Sequence, residues 1–191
     1  MDRIIVITPP GELPGETELY EQLLRQGLQR LHLRKPGWPK DRLLQLAQAV
    51  APRWRHRLVV HHQPEVAVAA GLGGLHCSLG QLGGAPGGGI SLSCSVHHWA
   101  EAEAAAPLCD YLFVSPVFDS LSKSGYAQNS ALHQVPEPLK SQRLFALGGI
   151  TDKNLHRVRA MGYYGAALLG YLWNEPARAA ERLKTVLQIL S

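Results

Sequence analysis

Short apolar runs alternate with amphipathic patterns along the chain, and this alternation constrains the fold more than any other feature. Eight runs rich in leucine or in β-branched residues are candidate strands, at residues 3–8, 30–34, 57–61, 74–78, 90–96, 111–117, 144–147 and 166–169. Six intervening segments have the apolar spacing of amphipathic helices, at residues 16–26, 40–51, 64–70, 98–106, 152–161 and 177–190. The pattern predicts an α/β fold, a single small TIM (β/α)8 barrel with helices outside a closed parallel sheet.

The length of the chain limits what else it can contain. At 191 residues it is shorter than most barrels of this type, which have about 250 residues. Its loops must therefore be short, and residues 1–191 are expected to form one domain. Residues 79–89 are rich in glycine and are expected to be a loop, while Pro136 and Pro138 limit residues 129–141 to a short helix at most.

Composition narrows the cellular setting. Hydrophobic residues make up 46% of the chain and charged residues 18%, as in soluble globular proteins, and no apolar stretch is long enough to span a bilayer. Asp2 and Arg3 lead directly into the first candidate strand, unlike a secretory signal peptide. Cys77, Cys94 and Cys109 lack metal-ligand spacing and are expected to be small buried thiols. We expect a cytoplasmic enzyme with no membrane partner.

The distribution of basic residues argues against a nucleic-acid partner. The formal net charge is +4, but the positive charges are dispersed. The densest group is Arg53, Arg55, His56 and Arg57 beside Trp54, which we interpret as a solvated helix end. A small anionic ligand accounts for basic loops equally well.

The sixth candidate strand runs into a loop of hydroxyl groups that ends in a lysine. Ser120, Ser122 and Lys123 offer short hydrogen-bond donors and one positive charge just beyond the apolar run. This combination suits a phosphate or pyrophosphate group.

Glycines follow the seventh candidate strand and interrupt the eighth apolar run. Gly148 and Gly149 close residues 143–150, and Gly170 lies within residues 165–173, which we interpret as a strand. Their backbone N–H groups can approach an anion closely, with Thr151 and Asp152 as candidate caps of the next helix. In (β/α)8 barrels the phosphate commonly lies in the loops after strands 7 and 8, so we expect an anion there.

Histidines lie at or near the ends of several candidate strands: His32, His61, His62, His76 and His97. In a barrel these side chains meet at the mouth, where one histidine could act as a general base. Three imidazoles could instead bind zinc and activate water. Each histidine could equally be a hydrogen-bonded residue packed at a strand end, and the sequence leaves these alternatives open.

Six of these segments resemble motifs of the thiamine phosphate synthase and TenI superfamily. Residues 4–9 resemble its first strand, LHLRK at 31–35 its Gln-x-Arg motif, and SVH at 95–97 its Ser-x-His segment. DYLFVSPVFDSLSK at 110–123 resembles its Pro-Val-Phe-Pro-Thr-x-Thr-Lys loop, ALGGI at 146–150 its Ala-Ile-Gly-Gly-Ile, and YGAALLGYLW at 164–173 its final phosphate-binding strand. The resemblance extends from the first strand to the last helix.

The resemblance implies a thiamine biosynthesis enzyme, a transferase that joins a pyrimidine methyl diphosphate to a thiazole phosphate and releases pyrophosphate. It also implies magnesium as the cofactor. Position by position, it implies that Arg34, Ser120, Ser122 and Lys123 contact the diphosphate or the departing pyrophosphate. Developing negative charge on the leaving group is what such cations and a divalent ion stabilise.

The resemblance also implies the substrate contacts. Ser95 lies beside the pyrimidine, and His97 belongs to the same segment. His32 stands where the family has the glutamine of its second strand. The three glycines at 148, 149 and 170 line the site of the thiazole phosphate.

The chain departs from the family pattern where that pattern holds magnesium. His61 and His62 replace an Asn-Asp pair, and we assign both to the catalytic set. Residues 79–81 offer no carboxylate after the fourth strand, so the metal ligands stay unknown. Pro36 replaces a basic residue two places after Arg34, and Lys35 is the candidate substitute.

Two related functions are the alternatives. A TenI-type thiazole tautomerase moves a proton with a histidine and needs no magnesium, but Pro116 stands in the place of that histidine. A barrel without catalytic activity could instead bind a thiazole or thiamine phosphate. A homodimer is a further expectation, since Leu183, Val186 and Leu187 could either cover the sheet or meet a second copy.

Overall fold

A computed structural model describes residues 3–84, 89–119 and 127–190. Its eight parallel strands pair in chain order, and β8 pairs with β1 to close the barrel. The strands are β1 Ile4–Ile7, β2 Arg30–Leu33, β3 Leu58–His61, β4 Gly74–Cys77, β5 Ser91–Val96, β6 Tyr111–Val114, β7 Leu144–Leu147 and β8 Gly165–Leu168. The predicted TIM barrel is therefore confirmed.

Seven helices lie in the described part of the chain: α1 Glu16–Arg25, α2 Lys40–Ala49, α3 Pro64–Ala70, α4 Trp99–Ala105, α5 Leu155–Ala160, α6 Gly170–Trp173 and α7 Ala179–Leu190. Short 3-10 turns occupy Pro52–Arg57, Leu79–Gly84, Ala106–Leu108, Ser130–Leu132, Glu137–Leu139 and Pro176–Arg178. All six predicted helices are present. The first part of the glycine-rich segment is a 3-10 turn rather than the loop that the sequence predicted.

Proline residues explain two ends that differ from prediction. The second helix ends at Ala49, because Val50 and Ala51 are extended ahead of Pro52 and the residue before a proline avoids the helical region. The sixth strand ends at Val114 because Pro116 has no N–H to donate to the ladder. Pairing with the neighbouring strand resumes at Val117, whose N–H donates to the Leu147 carbonyl at 2.9 Å.

The last apolar run was wrongly predicted as one strand. It divides into β8, which ends at Leu168, and α6, which begins at Gly170. Leu169 between them has φ −135° and ψ −85°, which is neither strand nor helix geometry. Apolarity cannot reveal this division because both elements are buried at Leu168 and Leu172.

Two apolar layers hold the barrel together, as expected for a sheet that is buried on both faces. The larger layer packs the outer strand faces against the helices, and the smaller one consists of Ile5, Ile7, Tyr111, Phe113, Phe145 and Ala167. Leu183 and Val186 are fully buried in the larger layer, and Leu187 packs against it. These three residues of α7 therefore cover the barrel.

Three further observations bear on the remaining predictions. Cys77 and Cys94 are buried free thiols, whereas Cys109 is only partly buried. In the Pro52–Arg57 turn, Arg53 and Arg57 stack on Trp54. Among the described helices, none has both the length and the apolar character needed to cross a membrane.

Candidate active site

A cavity of about 450 Å³ opens at the carboxyl ends of the strands, which is where barrel enzymes place their active sites. Its walls include nine residues named from the sequence: Arg34, His61, His62, His76, Ser95, His97, Gly148, Gly149 and Gly170. His32 lies just below the cavity and is fully buried. Ser120, Ser122 and Lys123 lie outside the described residues, so their predicted roles stay untested.

The wall after β7 is made of backbone that only glycine can provide. Gly148 has φ +102° and Gly149 has φ +62°, the left-handed region that disfavours other residues. A Cβ atom on Gly149 would lie 2.2 Å from the carbonyl oxygen of Asp119, and one on Gly148 would lie 3.0 Å from the Cα of Pro116. The loop after β6 and the turn after β7 are therefore in direct contact.

The predicted helix caps after this turn are wrong. The helix α5 begins at Leu155, and Asn154 precedes it. The Asn154 amide accepts from the N–H of Thr151 at 2.8 Å and donates to the carbonyl of Gly149 at 2.9 Å. Thr151 and Asp152 instead precede the helix, so neither residue caps α5.

The wall after β8 is the start of α6. Gly170 and Tyr171 both line the cavity, and their N–H groups belong to the first helical turn, which intrahelical hydrogen bonds leave unsatisfied. Together with Gly148 and Gly149, they give this side of the cavity a surface of backbone donors. Such a surface is suited to a phosphate.

The wall above β1 and β2 carries one positive charge. The backbone of Arg34 exchanges two hydrogen bonds with the Thr8 hydroxyl, at 2.9 and 3.3 Å, which ties the two strand ends together. Within the described ranges, the Arg34 guanidinium has no carboxylate in ion-pair contact. It is therefore available to an anionic ligand in the cavity.

Lys35 does not substitute for the missing basic residue at the mouth. Its side chain is fully buried, and its Nζ lies 2.5 Å from the carboxylate of Glu16 and 2.6 Å from the carbonyl of Gly11. The Glu16 carboxylate also accepts from the Tyr20 hydroxyl at 2.7 Å. Lys35 lies beyond the end of β2, and its side chain contacts α1 through Glu16 rather than entering the cavity.

Three imidazoles from β2, β3 and β4 meet inside the barrel. His32 Nδ1 lies 3.1 Å from His61 Nε2, and the rings of His61 and His76 are 4.2 Å apart. His32 Nε2 contacts the Tyr111 hydroxyl at 2.8 Å, and His76 Nδ1 contacts the Ser93 hydroxyl at 2.9 Å. We call His32, His61 and His76 the imidazole cluster.

The imidazole cluster is uncharged at neutral pH. Burial lowers the pKa of His76 to about 3, and the charges of His62 and Arg34 add to this decrease. Burial also holds the pKa of His32 and of His61 well below the usual value, with His76 as the next cause for both. A neutral imidazole has one N–H group that donates and one nitrogen whose lone pair can accept a hydrogen bond or bind a metal.

Two more histidines line the cavity without joining the cluster. His62 has φ +58° just after β3, and its Nδ1 donates to the Gln81 amide oxygen at 3.2 Å. His97 donates from Nδ1 to the carbonyl of Ser115 at 2.7 Å. In each neutral ring these bonds leave Nε2 as the acceptor.

Ser93, Tyr111 and Tyr171 are site residues that the sequence reasoning missed. Ser93 lies two residues before Ser95, and Tyr111 lies two residues before Phe113, so each shares a strand face with a cavity residue. That spacing of two was the signal that could have revealed the first pair. Tyr171 was missed because α6 was predicted as strand.

The donor set that the described residues present at the mouth does not fit magnesium. Among the described residues that line the cavity there is no carboxylate, and magnesium prefers oxygen ligands. Asp119 is close by, but its Oδ1 accepts from the N–H of Gln128 at 2.8 Å. The described mouth offers imidazole nitrogen in place of the oxygen ligands that magnesium requires.

Comparison with known proteins gives a consistent result. The sequence model of a family described as thiamine monophosphate synthase matches residues 4–172. A protein of Geobacter sulfurreducens is 31% identical over 183 residues, which cover 89% of this chain and 84% of that protein. The thiamine-phosphate synthase of Laribacter hongkongensis is 29% identical over 185 residues, with 91% and 88% coverage.

A solved structure agrees with the sequence comparison. The crystal structure of a thiamine phosphate pyrophosphorylase from Bacteroides thetaiotaomicron superposes with a TM-score of 0.80. The two chains are 26% identical, and the match covers 98% of this chain and 97% of the other. The two chains therefore share the barrel fold.

Proposed function

We propose that this chain, which belongs to the thiamine monophosphate synthase family, joins a pyrimidine methyl diphosphate to a thiazole phosphate at its barrel mouth. The observation that carries the proposal is the glycine wall formed by Gly148, Gly149 and Gly170. A wall of backbone donors after strands 7 and 8 is the place where this fold holds a phosphate group. The products are thiamine phosphate and pyrophosphate.

The glycine wall supports a site for the thiazole phosphate. Side chains are excluded at Gly149 because a Cβ atom would collide with the Asp119 carbonyl. A phosphate can therefore approach the backbone from the cavity, where Gly170 and Tyr171 add N–H donors. Held by its phosphate, the thiazole ring is positioned over the open cavity, and this positioning lowers the entropy cost of the reaction.

The bond change needs a cationic group at the leaving pyrophosphate. The thiazole nitrogen attacks the methylene carbon of the pyrimidine while the bond from that carbon to the diphosphate oxygen breaks. Pyrophosphate takes the electron pair of the broken bond, and we assign Arg34 to stabilise it. Ser120, Ser122 and Lys123 are proposed to share this role.

The pyrimidine is assigned to the space between the two walls. The Ser95 hydroxyl lies 3.1 Å from His76 Nε2 and lines the cavity, so it can contact a heterocyclic ring there. His97 offers Nε2 as an acceptor on the same side. His61 and His62 are proposed to orient the diphosphate from the β3 end, and His32 supports His61 from below.

A thiazole tautomerase is the second candidate, and one observation favours it. The Tyr111 hydroxyl, His32 and His61 form a continuous hydrogen-bonded chain that ends at the cavity. Such a chain can orient His61 as a base. However, burial holds the pKa of His61 well below its usual value, which makes it a weak base, so the synthase ranks first.

Other features of this enzyme stay proposals. We propose that the whole chain acts as one domain in the cytoplasm and that its partners are these two small molecules. A homodimer is proposed as the assembly. Because Leu183 and Val186 are buried within the chain, these α7 residues do not supply its contact surface.

The test is a two-product assay with the purified full chain. Thiazole phosphate and pyrimidine methyl diphosphate are incubated with the protein, and thiamine phosphate and pyrophosphate are quantified together. Equal amounts of both products support the synthase. Isomerisation of a thiazole substrate without pyrophosphate release would favour the tautomerase, and binding without any turnover would leave a phosphate-binding barrel.

A further inference from the structure

We propose that His32, His61 and His76 form a binding site for a divalent metal ion such as zinc or cobalt. The proposal concerns metal binding by itself and does not depend on the synthase reaction. The site differs from the magnesium site that the family resemblance implies, because its ligands are imidazole nitrogens on three successive strands rather than carboxylates.

The register of the strands brings the three side chains to one level inside the barrel. His61 on β3 pairs with His76 on β4. On the neighbouring strand His32 pairs with Val59, two residues before His61 and therefore on the same strand face. Phe113, which belongs to the apolar inner layer, packs against the rings of His32 and His76, so three polar rings at this point require a specific reason.

The nitrogen atoms are close enough to share one ion. One ring nitrogen from each of the three histidines lies within 4.8 Å of the others, and His32 Nδ1 and His61 Nε2 are 3.1 Å apart. Zinc bonds to imidazole are about 2.0–2.1 Å long, which separates tetrahedral ligands by roughly 3.3 Å. One pair already has nearly this separation, and the His76 nitrogen must move closer by at most about 1.5 Å, the difference between 4.8 Å and roughly 3.3 Å.

Hydrogen bonds to Tyr111 and Ser93 determine which ring nitrogens of His32 and His76 carry a lone pair. The His32 ring can donate from Nε2 to the Tyr111 hydroxyl, and the His76 ring can donate from Nδ1 to the Ser93 hydroxyl. With these protons outward, His32 Nδ1 and His76 Nε2 carry the lone pairs. These nitrogens contact His61 Nε2 and the Ser95 hydroxyl, each at 3.1 Å, and a bound ion would replace both contacts. Metal-binding histidines usually have such a partner on the second nitrogen, because it fixes the tautomer and the ring orientation.

The fourth position of the metal faces the cavity. His61 and His76 both line it, so a water molecule or a ligand oxygen can reach the ion from above. Arg34 at the mouth and Arg30, which lies over the Tyr111 ring, repel a cation. An anionic fourth ligand such as hydroxide or a phosphate oxygen offsets this repulsion. Three imidazoles with one open position are a recognised zinc arrangement.

Zinc and cobalt fit this donor set better than magnesium does. Imidazole is a favourable ligand for zinc and cobalt, whereas magnesium keeps oxygen ligands and octahedral geometry. Among the described residues, the three histidines are the group of potential metal ligands that converges in this way. The expected preference is therefore zinc or cobalt over magnesium.

The experiment uses the full chain after treatment with a chelator and dialysis. Cobalt chloride is titrated while visible absorption is recorded, and zinc chloride is titrated by calorimetry. We expect one equivalent of each metal to bind, with the strong visible bands of four- or five-coordinate cobalt. Zinc should also raise the thermal midpoint, because a ligand that binds only the folded state stabilises it. Magnesium chloride should give neither signal.

Variants assign the ligands. His32→Gln and His76→Asn should each weaken zinc binding at least tenfold, since each removes one of three ligands. His62→Asn is the matched control: it removes a neighbouring cavity histidine, and asparagine tolerates the positive φ of this position. It should keep the one-equivalent cobalt spectrum.

Three results would overturn the proposal. One is the absence of stoichiometric zinc or cobalt binding by the wild-type chain. Another is the weak spectrum of octahedral cobalt. The third is a site that survives His32→Gln and His76→Asn but is lost in His62→Asn. Because the wild-type spectrum reports the coordination directly, the test holds even where a buried variant fails to fold.

Discussion

One side of the cavity is formed by backbone groups, and the other side depends on histidine side chains. After β7 and β8 the wall is backbone, held by Gly148, Gly149 and Gly170, whereas below the β2 to β4 side the chemistry comes from buried imidazoles. A backbone wall depends on space and dihedral angles, so it tolerates change in neighbouring side chains. An imidazole cluster depends on individual side chains and on their hydrogen-bond partners. The first side resembles the family motifs, and the second side departs from them.

The largest predicted effect is a loss of unfolding free energy when metal-free protein is acidified. It arises from the imidazole cluster and not from the backbone wall. The three cluster histidines have folded-state pKa values below the usual 6.5, so only the unfolded chain gains protons as the pH falls below that value. The free energy of unfolding therefore decreases as pH falls from about 7 to 5, by about 2 kcal/mol for each histidine. Chemical unfolding in the presence of a chelator measures this loss.

One variant checks the origin of that pH dependence. In His76→Gln the pH dependence should be weaker by about a third, because one of three low-pKa groups is gone. A wild-type unfolding free energy that stays constant between pH 7 and 5 would contradict the neutral cluster.

Lys35→Met tests whether Lys35 stabilises the fold rather than binding substrate. The substitution leaves the Glu16 carboxylate buried beside Tyr20 without its positive partner. Breaking a buried ion pair in this way costs about 3–5 kcal/mol of unfolding free energy. Denaturant titration measures the loss, and substrate KM in the folded fraction should be unchanged. A stable variant with a raised KM would instead assign Lys35 to the site.

Gly149→Ala tests the backbone wall. The new Cβ atom meets the Asp119 carbonyl in a residue with positive φ, so the turn must shift. We predict a loss of about 10-fold to 100-fold in kcat/KM, equivalent to about 1.4–2.7 kcal/mol. Gly27→Ala is the control, since Gly27 has φ +105° with open space around it and does not line the cavity. Equal losses in both variants would show that backbone strain alone is responsible.

Tyr111→Phe is expected to have the smallest effect. It removes the hydroxyl that contacts His32 Nε2 and retains the packing against Phe113 and Phe145. Loss of one buried hydrogen bond lowers the unfolding free energy by about 1–2 kcal/mol. The thermal midpoint measures the change. An unchanged midpoint would show that this hydroxyl does not support the imidazole cluster.

The sequence predicted what depends on local patterns. The strands were visible because both faces of a parallel barrel strand are buried, and Gly148 and Gly149 were visible because their conformation requires glycine. The cap at Asn154 was missed, since a turn separates the candidate residues from the helix. The start of α6 at Gly170 was missed because its residues are as apolar as those of β8.

The imidazole cluster shows what sequence alone could not supply. His32, His61 and His76 were each noticed, but their nitrogen distances depend on the register of three strands. His97 and His62 were grouped with them, although Nδ1 of these two histidines contacts Ser115 and Gln81 instead. Convergence is a tertiary property, and no spacing along one strand encodes it.

The most direct test of the account is thiazole phosphate binding to metal-free wild-type protein and to metal-free His76→Gln, measured by calorimetry. If the glycine wall binds the phosphate independently of the imidazole cluster, both proteins bind the ligand with the same affinity. Loss of binding in folded His76→Gln would contradict the account, because the two sides of the cavity would then form one inseparable site.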